Sequence, residues 1–218
     1  MGLVTSSQFQ VPHIDFLNVR YVFNYHCSFP GCIYGDPHIV TTDGLKYTFN
    51  GKGEFILIET MDKGFTLQGR MIEAIDEFGS VAAATVFSAI VGKQNDSDTV
   101  QLELSRRGVD ALVNGDRVDF EVVSAQNFNN VVLVNLGNRT VAALFSSGVY
   151  LQATEENGII SVLLVNLPSH LQDTTGLMGT FNGDTTDDLI PKYATEPIPA
   201  NSSLQDIHTF GVTCKTWR

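Results

Sequence analysis

From residue 38 to residue 165 the sequence is a succession of short segments that favour extended backbone, cut at close intervals by turn-forming residues. Val100-Gln-Leu-Glu-Leu104 and Arg117-Val-Asp-Phe-Glu-Val122 alternate apolar and polar side chains. Each such run presents one face to a core and one to water. Asn114-Gly115 lies between them, and this dipeptide is a strong hairpin signal because both central positions of the turn take positive φ. Gly137-Asn138, Ser147-Gly148 and Asn157-Gly158 punctuate the later runs in the same way. Strands are expected at 38–42, 46–50, 54–60, 65–74, 81–91, 99–105, 110–113, 117–123, 130–136, 139–145, 149–155 and 159–165. Met71 to Ile75 could pass for a helical segment, but its neighbours favour a strand. Strands at such spacing predict an all-β fold, an antiparallel sandwich or barrel.

Little helix is expected. Pro168 to Asp173 predicts one short helix, with Pro168 at its first position and Gly176 ending the turn that follows. Residues 1–31 read as a lead-in or as the end of a preceding domain, and Tyr21 to Tyr25 suit an edge strand. Pro191 to Ser203 reads as a surface loop, tied back by Phe210 and Trp217.

Of the 218 residues 43% are hydrophobic, ample for a sizeable core. The net charge of −11 argues against nucleic acid as a partner, because an acidic surface repels phosphate backbones. It suits divalent cations. No apolar run is long enough to span a bilayer, so no membrane insertion by this segment is expected. Met1 to Gln10 lacks the basic start and apolar core of a signal peptide. Three glycosylation sequons, at Asn95, Asn138 and Asn201, fall on polar, turn-like segments and fit an extracellular chain. The expectation is therefore a fragment of a longer extracellular protein. Cys27, Cys32 and Cys214 make an odd count, and the sequence leaves Cys27–Cys32 and Cys32–Cys214 both open.

Two constellations carry chemistry. Gly35-Asp36-Pro37-His38 is either a tight turn or a place where the chain cuts itself. The nitrogen of a proline sits in a tertiary amide with weakened geometric preferences. The Asp36 carboxyl can reach its own main-chain carbonyl carbon, and an adjacent imidazole moves protons at ordinary pH. The second constellation is Gly179-Thr-Phe-Asn-Gly-Asp-Thr-Thr-Asp-Asp-Leu189. Asn182, Asp184, Asp187 and Asp188 crowd oxygen-bearing side chains around Gly183, the kind of loop from which Ca2+ collects about six to eight oxygens. The spacing is not that of an EF-hand, and a solvated turn is the ordinary alternative.

Cys32-Ile-Tyr-Gly-Asp-Pro-His-Ile-Val-Thr-Thr-Asp-Gly-Leu-Lys-Tyr-Thr-Phe-Asn-Gly51 resembles the opening of a von Willebrand factor type D domain. Gly176-Leu-Met-Gly-Thr-Phe-Asn-Gly-Asp-Thr-Thr-Asp-Asp-Leu189 is similar to the closing segment of that domain. Phe55 to Ile58 and Phe210 to Thr213 also match, so the resemblance covers residues 32–218 with the C-terminal tail. The branch it resembles most is that of transmembrane mucins and sushi-domain-containing membrane proteins.

The resemblance implies an antiparallel β-sandwich with one or two short helices and one structural Ca2+. Its implied ligands are Asp43, Asn182, Asp187 and Asp188, with Thr180 through its carbonyl and Asp184 as a further group. It also implies possible one-time self-cleavage between Asp36 and Pro37, with His38 as proton donor, leaving pieces held together non-covalently or by disulfide. Met178 stands where the family's closing cysteine lies, Gly53 where another often lies, and Cys214 where a tryptophan is common. That favours Cys27–Cys32 as the bridge and disfavours disulfide-linked multimers.

The expected function is a calcium-stabilised extracellular structural or adhesion module of a mucin-like or cell-surface protein. Its expected partners are other domains of the same parent and extracellular-matrix or cell-surface proteins. The alternative is a purely structural module that stays uncut. A hydrolase using Asp36, Asp43 and the closing-loop aspartates is the weakest reading, since neither Gly-x-Ser-x-Gly nor His-Glu-x-x-His occurs.

Overall fold

A computed structural model describes residues 31–62, 64–75, 80–199 and 201–216. The lead-in up to residue 30, with Cys27 and the edge strand expected at Tyr21 to Tyr25, lies outside the described residues, as does Trp217. The fold is an all-β sandwich of two antiparallel sheets.

One sheet contains β1 (Cys32–Tyr34), β2 (His38–Val40), β3 (Lys46–Thr48), β10 (Ala125–Phe128), β11 (Val131–Gly137), β12 (Thr140–Phe145), β13 (Tyr150–Glu156) and β14 (Ile159–Asn166). Its order is β10-β11-β12-β13-β14-β1-β2-β3. The other contains β4 (Gly53–Thr60), β5 (Phe65–Ile75), β6 (Val81–Gln94), β7 (Val100–Ser105), β8 (Gly108–Val113), β9 (Asp116–Arg117) and β15 (Thr174–Thr175). Its order is β15-β4-β5-β6-β7-β8-β9. The outermost strands are short: four residues in β10, three in β3, and two each in β9 and β15.

Turn chemistry sets the register. Asn114 and Gly115 sit at φ 52° and 92°, the paired positive values that a two-residue hairpin needs, and they join β8 to β9. Asn138 and Asn157 also take positive φ, at 46° and 55°. The inward residues of both sheets meet in one core, where Phe65 and Phe145 pack edge to face with centroids 5.3 Å apart. Gly92 allows the close approach of Phe145 and Leu151, because a Cβ there would lie 2.8 Å from Leu151.

Two sequence expectations give way. Pro168 to Asp173 is a turn, closed by the Leu171 N–H on the Pro168 carbonyl at 3.0 Å. Asp173, at φ 57° and bonded back to the Phe181 carbonyl, prevents a helix from propagating. The strand expected over 117–123 stops at Arg117. Asp119 there accepts the Glu121 N–H at 2.8 Å, a side-chain turn that outcompetes the ladder and leaves Val122 and Val123 exposed. Among the described residues the α-helix is instead α1 (Leu204–Thr213). Ser203 and Asp206 cap it reciprocally, and Ile207, Phe210 and Gly211 form its buried stripe.

After β14 the chain crosses to the other sheet. The N–H groups of Leu177 and Met178 bond the carbonyls of Ile56 and Leu57 at 3.0 and 2.9 Å. Tyr47 donates its hydroxyl to the Leu177 carbonyl, and Thr42 N–H reaches the Met178 carbonyl at 2.9 Å. Met178, fully buried, fills core volume where the family pattern has a cysteine. The opening and closing segments are thus stitched together at one edge of the sandwich.

Candidate functional site

The stitching brings the acidic loop against the end of β2. Asp43 Oδ2 accepts the main-chain N–H groups of Asn182 and Gly183, both at 2.9 Å. Asp188 is buried, accepting the Thr41 hydroxyl at 2.6 Å on Oδ2 and the Thr180 N–H at 3.0 Å on Oδ1. Burial pushes its pKa up to about 6 despite those two hydrogen bonds, and the negative charges of Asp43 and Asp187 add to the rise. Asp187 Oδ2 accepts the Asn182 side-chain amide at 2.8 Å, while Thr180 donates its hydroxyl to the Asp187 carbonyl at 3.3 Å. The other oxygen, Asp187 Oδ1, is buried without a hydrogen-bond partner.

Asp184 has a separate task. It accepts the N–H and hydroxyl of Thr186 at 2.9 and 2.7 Å, capping the single 3₁₀ turn Thr185–Asp187. Those bonds hold its carboxyl below the usual range. Among the described residues no three acidic, imidazole or thiol groups converge into a metal cluster by themselves. Ca2+ draws on amide and carbonyl oxygens as well as carboxylates, and Asp43, Asn182, Asp187 and Asp188 bring side-chain oxygens of those kinds to one corner. A buried carboxylate oxygen with no partner, and a carboxyl pushed towards neutrality by burial with neighbouring negative charge adding to the push, are what such an ion relieves. Thr41 is a contributor that sequence reasoning missed; its hydroxyl also accepts the N–H groups of Gly44 and Leu45, at 3.2 and 2.9 Å.

At the other end of β2, Gly35, Asp36 and Pro37 form the turn between β1 and β2, with Gly35 at φ 62°. Proline has no N–H to give the ladder, and Tyr34 pairs with His38 across the turn. His38 Nε2 lies 3.1 Å from Asp36 Oδ1, and both side chains are about half exposed. His38 Nδ1 shares a hydrogen bond of 2.8 Å with Thr48 Oγ1 on β3, and the Tyr34 ring lies 5.1 Å from the imidazole. Neither Tyr34 nor Thr48 was singled out from sequence. The hairpin register that sets residue 48 opposite residue 38 is the signal that would have found the second.

The remaining predicted positions are dispersed. Asn95 is exposed between β6 and β7, Asn138 is exposed in the β11–β12 turn, and Asn201 is exposed just before α1. Cys32 is buried and disulfide-bonded, Cys214 is free and buried, and Cys27 lies outside the described residues. Burial pushes the Cys214 thiol up to about 12. No helix among the described residues is long and apolar enough to cross a membrane.

The family model of the von Willebrand factor type D domain matches residues 31–194. Sushi domain-containing protein 2 of Homo sapiens is 30% identical over 190 residues, covering 86% of this chain and 23% of that protein. Protein mesh of Bombyx mori is 32% identical over 170 residues, 72% of this chain and 11% of that protein. Mucin-4 of Homo sapiens is 31% identical over 198 residues, 84% of this chain and 4% of that protein. The chain thus spans less than a quarter of the length of each of these relatives.

Proposed function

The chain belongs to the von Willebrand factor type D domain family, and from that premise we propose that it is a calcium-stabilised extracellular structural and adhesion module that cuts itself once between Asp36 and Pro37. The observation that carries the calcium reading is the capture of Asp43 by the Asn182 and Gly183 amides, beside the unpartnered Asp187 Oδ1. Asp43, Asn182, Asp187 and Asp188 would hold the ion, with Thr180 contributing main-chain oxygen. The ion supplies positive charge that lets three neighbouring carboxylates stay ionised together. Asp184 shapes the loop. Its relatives among mucins support an extracellular setting and partners that are other domains of the parent protein or extracellular-matrix and cell-surface proteins. The exposed sequons at Asn95, Asn138 and Asn201 are the proposed glycosylation sites, and Cys27–Cys32 is the proposed bridge.

Self-cleavage is carried by the Asp36–His38 contact in a tight turn. The Asp36 carboxylate attacks its own carbonyl carbon, the bond to Pro37 nitrogen breaks, and that nitrogen takes a proton from the His38 imidazolium. The product is a cyclic anhydride that water opens to two carboxyls. The chain acts on itself a single time and turns over no substrate.

Purified protein incubated at pH 5 and pH 7.5 and run on a denaturing gel tests the cut. A new fragment beginning at Pro37, lost in Asp36→Ala, is expected. An uncut chain in both tubes would leave the purely structural module. A melting curve with and without chelator, against millimolar calcium, tests the ion, and an unchanged midpoint would sink that assignment.

A further inference from the structure

We propose that Thr48 is a positioning residue for the Asp36–Pro37 cut, holding the His38 ring so that its Nε2 proton faces the breaking bond. This rests on the self-cleavage reading and goes beyond it by naming what aims the proton donor. His38 opens β2 and Thr48 closes β3, and the antiparallel register pairs them directly. The ring is fixed at both nitrogens. Nδ1 meets the Thr48 hydroxyl at 2.8 Å and Nε2 meets Asp36 Oδ1 at 3.1 Å.

The hydroxyl is suited to every stage of the proton transfer, because it both donates and accepts. With His38 doubly protonated, Nδ1–H donates to Thr48 Oγ1 and Nε2–H points at Asp36. As the Pro37 nitrogen takes the Nε2 proton, the ring becomes the neutral tautomer protonated at Nδ1, and the bond to Thr48 survives unchanged. The balance is complete: carboxylate, amide and imidazolium become anhydride, amine and neutral imidazole. A valine at position 48 keeps the β-branched shape and removes the acceptor, leaving the ring free to rotate or to carry its neutral proton on the wrong nitrogen.

The groups around the ring support a positional rather than a charged device. Its titratable neighbours are Asp36 on its own turn and Tyr34 on β1, whose ring lies 5.1 Å away, while β3 presents the uncharged Thr48. The backbone holds this geometry independently. Phe49 N–H bonds the Pro37 carbonyl at 3.2 Å and Gly35 N–H bonds the Ser161 carbonyl at 3.2 Å, so the turn stays anchored in a Thr48 variant.

The test is the rate of appearance of the Pro37 fragment between pH 4.5 and 7.5 for wild type, Thr48→Val and Thr48→Ser. Thr48→Val should slow the cut about tenfold across that range, with Thr48→Ser restoring the rate. In the uncleavable Asp36→Asn background, imidazole nitrogen shifts by NMR should show the His38 tautomer mixture changing on Thr48→Val. Wild type that cuts while Thr48→Val cuts at the same rate overturns this inference alone. Unchanged ring shifts do so as well. A wild-type chain that stays intact at every pH overturns the self-cleavage reading, and this inference falls with it.

Discussion

Individual carboxylates in the acidic corner do different work despite sitting within a few residues of one another. Asp43 and Asp187 are the groups whose loss should remove the response to calcium. Asp187→Asn is expected to abolish the rise in melting temperature on adding millimolar calcium, a rise of about 2–8 °C for a stabilisation of about 1–2 kcal/mol. Asp184→Asn should keep the response while loosening the 3₁₀ turn. Asp188 sets a pH dependence in the chelated protein. Its folded pKa of about 6 lies above the ordinary 3.8, so the folded chain binds more protons than the unfolded chain between those values. Stability from this group is therefore present below pH 4 and lost as pH rises through 6. Chelated wild type should lose melting temperature on going from pH 5 to pH 7, and Asp188→Asn should flatten that slope. Calcium should reverse its sign, because the ion favours the ionised carboxylate.

At the scale of elements, α1 shows how little spare room the core has. Gly211 packs on the Phe49 ring so closely that a Cβ would lie 2.1 Å from it. Gly211→Ala should cost about 1–3 kcal/mol, read as a lower midpoint in urea. Ser203→Ala, which removes one half of the capping box, should cost about 1 kcal/mol and leave the core intact. Alternation and Asn-Gly turns made most strands legible in the sequence, with ends shifted by up to three residues. β1, β10 and β15 were not, because strands of two to four residues carry too little period to be seen. The helix was misplaced because Pro168 marks helix starts and turns equally well, while the Ser203–Asp206 box lay at the end of a stretch taken for loop. In the acidic corner, Asp43 came only from the family resemblance, while Asp184, Asp187 and Asp188 could be singled out from their crowding. Thr41 and Thr48 could not, since a hydroxyl acquires its role only from the partner that folding brings to it.

On the scale of the whole molecule, the family match ends at residue 194, yet the fold continues beyond it. Phe210 packs against Tyr47, the Cys214 carbonyl accepts the Ile56 N–H at 2.8 Å, and Thr216 N–H reaches the Glu54 carbonyl at 2.9 Å. A chain ending before Leu204 should lose protection from proteolysis along β3 and β4, checked by the earliest cut sites in limited digestion. The cleavage turn has its own global consequence, because β1 is laddered to β14 on one side and β2 on the other, with Cys32 and Ile33 buried. A chain cut at Asp36–Pro37 should therefore run as one species on a native sizing column, with or without reductant, and separate only in denaturant.

The brevity of the outer strands governs behaviour in a crowd. A strand of two to four residues exposes too few free N–H and C=O groups to template another chain. Copies of this sandwich held side by side at high local density would slide past one another instead of fusing into a continuous ribbon.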